Sequence, residues 1–513
     1  MLEMAADTAT VWDIIVIGGG ATGLGVAVDA VARGYRTLLL EKGDFAHATS
    51  SRSTKLIHGG VRYLQQGNLK LVREALYERG LLLRHAPHLV HPISFVIPNN
   101  SWWDAAFYGF GLKLYDIMSG RFTIGHSRHL SRKQTLELLP SVKTQRLIGG
   151  TLYLDGQFDD ARLAIELART AADLGATVIN YMPITALIKE NGRVRSVVAH
   201  ESESGREFEF KGRVVVNATG IFADSIRRLD DPSAKISISP SQGAHIVLPR
   251  SFLPGGTALM VPKTDDGRVL FAIPWHDRVV VGTTDTAAAE IEAEPRPLPA
   301  EIEFLLTHVS RYLANPPQPG DILSTYAGLR PLARPATIRS SALIPRDHAI
   351  TISGSGLVTV TGGKWTTYRK MAEDTVSRAI AVASLPQKAC RTHDLALHGW
   401  SDAAVDGDPL SIYGSEATAI RALSKENPDW MKPLHPALPY IVAEVIWAVR
   451  HEMARTVEDV LARRTRALFL DARASIKAAS QVAALLAQEL QRDATWAQQQ
   501  EMAFAQTAQR YLP

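Results

Sequence analysis

The chain opens on an apolar run, Ile14-Ile15-Val16-Ile17, that breaks at Gly18, Gly20 and Gly23. An unbroken apolar run bounded by a turn reads as a buried strand, and the stretch after the glycines as a helix. A second run, Arg36-Thr37-Leu38-Leu39-Leu40, ends at Glu41. Leu69 to His85 carries Leu71, Val72, Ala75, Leu76, Leu81 and Leu82 at helical spacing, and Phe95-Val96-Ile97-Pro98 is a short strand. Phe158 to Leu163 opens a helix that runs to about Leu174, with Asp159 or Asp160 as its N-cap. Thr177–Asn180, Val194–Ala199 and Glu207–Lys211 alternate with turns and lead to the apolar run Val214-Val215-Val216. Strands separated by helices in this order predict a parallel sheet.

From Lys235 to about Asp285 the pattern changes to strands alone, at His245–Leu248, Leu259–Val261, Val269–Ile273 and Val279–Asp285. Proline-rich spacers follow and bound a short helix near Glu301 to Leu313. This stretch reads as a separate sheet inserted into the first unit. Leu357 to Thr361 is again a strand, followed by Gly362-Gly363 and a helix through Ala383. Beyond Lys388 the helical segments Ile441–Arg450, Thr456–Leu470 and Ala472–Leu490 follow. Their Arg450, Arg455, Arg463, Arg464, Arg466 and Arg473 predict a basic face, either solvated or turned to an anionic membrane. Trp102 to Met118 is unusually aromatic, but Asp104, Lys113 and Asp116 keep it from spanning a bilayer. It predicts a helix buried between domains or a segment at a membrane interface.

Length divides the chain: 513 residues exceed one core and predict two or three domains. A net charge of +4 does not argue for nucleic acid as a partner. The single Cys390 excludes a disulfide framework and an intramolecular redox dithiol, and no metal set is expected. A redox cofactor here must therefore react directly with its substrate. No secretory leader and no transmembrane segment are expected, so a cytosolic or membrane-surface protein is the simplest reading.

Candidate chemistry gathers at the glycine turns. Gly18, Gly20 and Gly23 form GxGxxG between a strand and a helix. The first glycine permits the tight turn, the second lets a pyrophosphate approach the backbone, and the third lets helix and strand pack closely. The helix N-terminus then turns amide N–H groups toward the phosphates. Glu41, 18 residues after Gly23, is placed to accept a ribose hydroxyl. The hydroxyl-rich stretch from Thr49 to Lys55 offers donors for phosphate and ribose oxygens, or is a solvated loop with His58 structural. Asn217-Ala218-Thr219-Gly220 and Gly362-Gly363 are further places where backbone can lie against a cofactor, and together the three segments favour FAD.

The run Gly18 to Tyr63, Asn217–Gly220, the Gly328-Leu329-Arg330-Pro331 turn and Gly362 to Tyr368 together resemble the FAD-dependent glycerol-3-phosphate dehydrogenases. Ser53-Thr54-Lys55-Leu56-Ile57-His58-Gly59-Gly60-Val61-Arg62-Tyr63-Leu64 is the most specific part. The resemblance implies an α/β fold like D-amino-acid oxidase. A discontinuous Rossmann-like FAD domain (1–90, 150–234 and 326–387) would carry a substrate-binding β-sheet domain (91–149 and 235–325) and an α-helical C-terminal domain (388–513).

It further implies oxidation of sn-glycerol 3-phosphate to dihydroxyacetone phosphate, with electrons passed to a membrane quinone. The alternatives are an oxidase using oxygen or another oxidase of the superfamily. The absence of an obvious long insertion between Asp285 and Arg330 favours the dehydrogenase. The implied catalytic residues are His58, Arg330 and Lys364, with His245 as a second histidine. Arg62, Tyr63, Arg330 and Lys364 would hold the substrate. FAD would lie on Gly18, Gly20, Ala21, Thr22, Gly23 and Glu41, on Thr49, Ser50, Ser51, Ser53, Lys55, Leu56, His58, Gly59 and Gly60, on Ala218, Thr219 and Gly220, and on Gly362, Gly363, Lys364, Trp365 and Thr366. A homodimer, peripheral on the cytoplasmic face of the inner membrane or cytoplasmic, is the implied setting.

Overall fold

Ile14 and Val16 point into one apolar cluster while Ile15 and Ile17 point into another, so the strand Val11–Ile17 is covered on both faces. That is why it reads as a continuous apolar run and not as an alternating one. A computed structural model describes residues 10–60, 68–333, 348–402 and 408–513. Arg62 and Tyr63 lie outside the described residues.

Val11–Ile17 is central in a first sheet whose order is His348–Ile352, Val358–Gly362, Glu207–Asn217, Val11–Ile17, Thr37–Leu40 and Thr177–Ile179. All neighbours in it are parallel except the edge strand His348–Ile352. The strands Ile184–Glu190 and Arg193–His200 extend it as an antiparallel ribbon from Glu207–Asn217. Helices Ala21–Ala32, Asp160–Asp173 and Tyr368–Val382 pack on one face through Leu24, Val28, Leu163, Leu167, Met371 and Val376. Asp159 caps its helix by accepting from the N–H groups of Ala161 and Arg162.

A second, mostly antiparallel sheet runs Thr286–Ala287, Ile238–Pro249, Arg278–Gly282, Leu270–Trp275, Ala258–Val261, Val90–Asn99, Gly149–Phe158 and Leu56–Ile57. Ser324–Ala333 joins it beside Ile238–Pro249. Three of its strands depart from the division drawn on sequence, which assigns Leu56–Ile57, 150–158 and 326–333 to the first sheet's unit. Gly149–Phe158 pairs along its length with Val90–Asn99, and Ser324–Ala333 with Ile238–Pro249. Both partnerships are between segments far apart in the chain, and local periodicity carries no sign of them.

Helix Trp102–Ser119 buries Leu112 and Tyr115 against the second sheet, where Tyr115 Oη donates to Asp155. Its other flank is open: Trp102 is 82% exposed, Trp103 86% and Phe110 77%. It is therefore not the helix buried between domains that its apolar content allows.

The C-terminal segment forms Val442–His451, Asp459–Arg464, Ala467–Leu470, Ala472–Glu489 and Ala494–Gln509 around a third apolar core. The last helix has no counterpart in the sequence reading, and Thr456–Leu470 divides near Arg466, which sits at φ 64°. Half of the expected basic face is not at the surface. Arg463, Arg464 and Arg466 are buried. Arg463 and Arg464 both bond Asp44, Arg466 Nη2 reaches Asp160 at 3.1 Å, and Arg455 and Arg450 pair with Glu203 and Glu489. Arg455, Arg463, Arg464 and Arg466 tie the helical domain to the first sheet's unit, while Arg450 pairs within the helical domain.

Candidate active site

Two cavities lie between the sheets and meet at Thr49, Pro331, Gly362, Gly363, Lys364 and Trp365. The larger, about 430 Å³, is lined by Gly18, Gly20, Ala21, Thr22, Glu41, Ser50, Ala218, Thr219 and Gly220. The smaller, about 300 Å³, is lined by Ser53, Leu56, His58, Gly60, His245, Arg330 and Thr366. Three chain segments that are far apart in sequence thus line one continuous space.

The larger cavity is built from bare backbone. A Cβ on Gly18 would come within 2.8 Å of the Ala218 carbonyl oxygen, and one on Gly23 within 1.9 Å of the Gly18 carbonyl oxygen. Gly23 is therefore the helix–strand contact and does not line the cavity. Helix Ala21–Ala32 begins without an acidic residue in its first turn, and Ser50 Oγ accepts from the Ala21 N–H at 3.0 Å. Such an N-terminus favours an anion. Glu41 accepts from the N–H groups of Gly19 and Gly43, and burial raises its pKa. Its carboxylate braces the glycine loop while facing the cavity, with lone pairs left for a further donor.

Strand alternation builds the smaller cavity. Ser241 pairs with Arg330 and His245 with Tyr326, so His245 and Arg330 stand on one face of neighbouring strands. Two glycines clear their space. A Cβ on Gly282 would lie 2.0 Å from His245 Cδ2, and one on Gly243 2.3 Å from Arg330 Nη2. The His245 ring stacks on Tyr326 with centroids 4.5 Å apart, and its Nε2 is 2.9 Å from Thr54 Oγ1. Burial, then the charges of Lys55 and Arg330, hold its pKa well below 6.5, so the imidazole is neutral. Arg330 reaches Asp285, Thr283 Oγ1 and the carbonyl oxygens of Gln242 and Thr284. Phe95, Tyr153 and Phe271 form an apolar wall.

Some expected residues do other work. Lys55 is fully buried, pairs with Asp160 at 2.7 Å and donates to the Ser51 carbonyl oxygen. Desolvation lowers its pKa to about 7 against the pull of Asp160. Ser51 Oγ donates to the Ala48 carbonyl, and Ser53 Oγ to Asp160. Gly59 packs under Tyr115, whose Oη accepts from the Gly59 N–H at 2.8 Å. The hydroxyl-rich loop is thus partly a structural knot and not wholly a set of ligand donors. Sequence reading missed Arg52, Thr54, Arg268 and Asp285 on the smaller cavity and Lys42 and His47 on the larger. Thr54 lies inside the most specific motif, which was a signal available in sequence; Arg268 carries none.

The fit to a dinucleotide rests on the glycine cradle, the anion-favouring helix start and the joined cavities. Residues 13–369 match the family described as FAD dependent oxidoreductase, and residues 356–499 match the C-terminal domain of alpha-glycerophosphate oxidase. A mitochondrial glycerol-3-phosphate dehydrogenase of Arabidopsis thaliana is 42% identical, with 95% of this chain and 84% of that protein aligned. The human mitochondrial glycerol-3-phosphate dehydrogenase is 40% identical over 98% of this chain and 73% of its own length. The solved glycerol-3-phosphate dehydrogenase of Bacillus halodurans, complexed with FAD, superposes with a TM-score of 0.80 at 29% identity, covering 99% of this chain and 96% of that one. The likeness extends along the whole chain, both sheets and helical domain included, and the chain belongs to the FAD-dependent glycerol-3-phosphate dehydrogenase family.

Proposed function

We propose that this chain oxidises sn-glycerol 3-phosphate at C2 to dihydroxyacetone phosphate, with FAD held along the two joined cavities. The observation that carries the reading is the convergence of Arg330, Lys364, His58 and His245 on the cavity that opens into the glycine cradle. When bound, FAD supplies the two-electron acceptor for the hydride leaving C2. Gly18, Gly20 and the start of helix Ala21–Ala32 hold the pyrophosphate, and Glu41 takes the ribose. Arg330 and Lys364 bind the substrate phosphate, for which a guanidinium fork and an ammonium are suited. Arg62 and Tyr63 belong to the same substrate set.

A histidine removes the C2 hydroxyl proton. His245 suits this role because it is neutral and faces the cavity beside Arg330. A phosphate dianion on Arg330 offsets the part of the depression that Arg330 adds to burial and Lys55, so substrate binding raises the basicity of this imidazole. His58 lines the same space and is the second candidate. The domain division 1–90, 150–234, 326–387 around 91–149 and 235–325, with 388–513 appended, is retained as a proposal, with strands Leu56–Ile57, 150–158 and 326–333 moved to the substrate sheet.

Electrons pass to a membrane quinone in this reading. No helix among the described residues is long and apolar enough to cross a membrane. Peripheral attachment is supported by the exposed aromatic flank of Trp102–Ser119. A homodimer rests on the family resemblance, and sedimentation velocity of the holoenzyme tests it.

The test of the reaction is anaerobic. The yellow protein should bleach on adding glycerol 3-phosphate and recover its colour with a quinone analogue. A flavin that stays oxidised at saturating substrate overturns the reading. Stoichiometric peroxide in air would move the acceptor to oxygen.

A further inference from the structure

In the hydroxyl-rich loop, Thr54 points differently from both of its neighbours. Ser53 presents its N–H and Oγ to Asp160, at 2.9 and 2.7 Å, and Lys55 Nζ reaches the same carboxylate at 2.7 Å. Ser53 and Lys55 are thereby turned into the fold. Thr54, between them, lines the smaller cavity and keeps part of its surface open. Its Oγ1 lies 2.9 Å from His245 Nε2 and has no other hydrogen-bond partner among the described residues. Tyr326 fixes both ends of this pair. Its ring stacks on the imidazole with centroids 4.5 Å apart, and its Oη donates to the Ser53 carbonyl oxygen at 3.1 Å.

The histidine itself is sealed. His245 is 2% exposed, and its Nδ1 is buried with no hydrogen-bond partner among the described residues. A proton can therefore enter or leave the imidazole only at Nε2, and Nε2 already faces the Thr54 hydroxyl. A substrate hydroxyl that met Nε2 directly would have to displace that contact. One that hydrogen-bonds Thr54 Oγ1 would not, because a hydroxyl oxygen can accept while it donates. The cation assigned to the substrate phosphate is on the same side. Arg330 Nη2 sits over Gly243, two residues from His245 on one face of the strand Ile238–Pro249.

We propose that Thr54 is a further catalytic residue, its hydroxyl relaying the proton of the substrate's C2 hydroxyl to His245. The proposal rests on the oxidation of glycerol 3-phosphate argued above and deepens it. With the imidazole proton on Nδ1, Nε2 accepts from Thr54 Oγ1. As the C2 hydroxyl O–H bond breaks, its proton passes to Thr54 Oγ1, and the proton that Oγ1 carried passes to Nε2. The electron pair of that O–H bond becomes the second carbon–oxygen bond of the ketone, while the hydride leaves C2 for FAD. Two protons move in step and the threonine ends as it began.

Anaerobic stopped-flow reduction of the holoenzyme flavin by glycerol 3-phosphate tests it. Thr54→Val removes the hydroxyl and keeps the branched shape. It should slow flavin reduction at saturating substrate by about a hundredfold, the scale of a lost proton-transfer group, with the half-saturating substrate concentration near that of wild type. Thr54→Ser keeps a hydroxyl and should reduce at close to the wild-type rate. A second measurement needs no variant. Across mixtures of light and heavy water, the wild-type reduction rate should fall along a curve bowed below a straight line, the signature of two protons in flight. A Thr54→Val rate equal to wild type, serine and valine variants equally slow, or a straight or flat dependence on heavy water overturns the relay while the reaction stands. A wild-type flavin that glycerol 3-phosphate does not reduce overturns the reaction itself.

Discussion

Gly282 illustrates how a residue with no chemistry of its own decides where chemistry sits. A methyl group there would lie 2.0 Å from His245 Cδ2, and the histidine is buried with its ring stacked on Tyr326. Gly282→Ala should therefore lower kcat at least about tenfold, a loss of roughly 1.4 kcal/mol of transition-state stabilisation, while FAD stays bound. Steady-state rates beside the flavin absorbance of the purified variant check it, and loss of flavin in proportion to activity would contradict it. Arg330→Ala removes a charge-assisted partner of the substrate phosphate. It should reduce kcat/KM by about 2–3 kcal/mol, roughly thirty- to over a hundredfold, again without loss of FAD.

His88 carries a pH dependence at the same scale. Its ring nitrogens have no hydrogen-bond partner among the described residues, and burial, then the charge of Arg162, lower its pKa to about 4. In the unfolded chain the imidazole titrates near its ordinary value of 6.5. Below that pH the unfolded state binds the proton and the folded state does not. Stability is therefore intact above pH 6.5 and falls as pH drops toward 4, by up to about 3 kcal/mol from this group. His88→Leu should flatten the acid limb of the melting temperature against pH. An unchanged limb would assign the acid loss to other groups.

At the scale of elements, much was legible. The helix expected over Leu69 to His85 has those ends, and Asp159 is the N-cap that its position before an apolar run predicts. Gly18, Gly20 and Gly23 form the expected strand–turn–helix. Gly23→Ala should force the helix off the strand, since the added carbon meets the Gly18 carbonyl oxygen, a backbone atom that cannot swing aside. We expect a loss of about 3 kcal/mol in stability together with FAD released on gel filtration. These features are encoded locally: periodicity, caps and close approach depend on residues a few positions apart. The helix Trp102–Ser119 shows the limit. Its length and apolar content are local, but which flank is buried depends on where Leu112 and Tyr115 meet the second sheet.

Across the whole molecule, charge changes its meaning. Of six arginines that read as a basic tail, Arg463, Arg464 and Arg466 are interior partners for acids contributed by the first sheet's unit. Asp44 is the hub: Arg463 and Arg464 both bond it and hold its carboxyl far below the usual carboxylate range. Asp44→Asn would leave two buried guanidinium groups under-compensated and should cost about 3–5 kcal/mol. Thermal unfolding followed by flavin fluorescence reads this as an earlier release of FAD. A melting point within a degree or so of wild type would mean the network contributes little.

By itself the chain determined the parallel first sheet, the glycine cradle, the β-rich insertion and the helical C-terminus, because hydrophobic period and turn chemistry act between near neighbours. It also named His58, His245, Arg330 and Lys364, which the fold brings onto one cavity. Only the tertiary structure decided that Lys55 belongs to a buried ion pair, that strands Gly149–Phe158 and Ser324–Ala333 complete the second sheet, and that Arg463, Arg464 and Arg466 face inward. The physical reason is common to all three. A charged or pairing group takes its role from partners that only folding brings within reach, whereas a glycine in a tight turn takes its role from the next few bonds of its own chain.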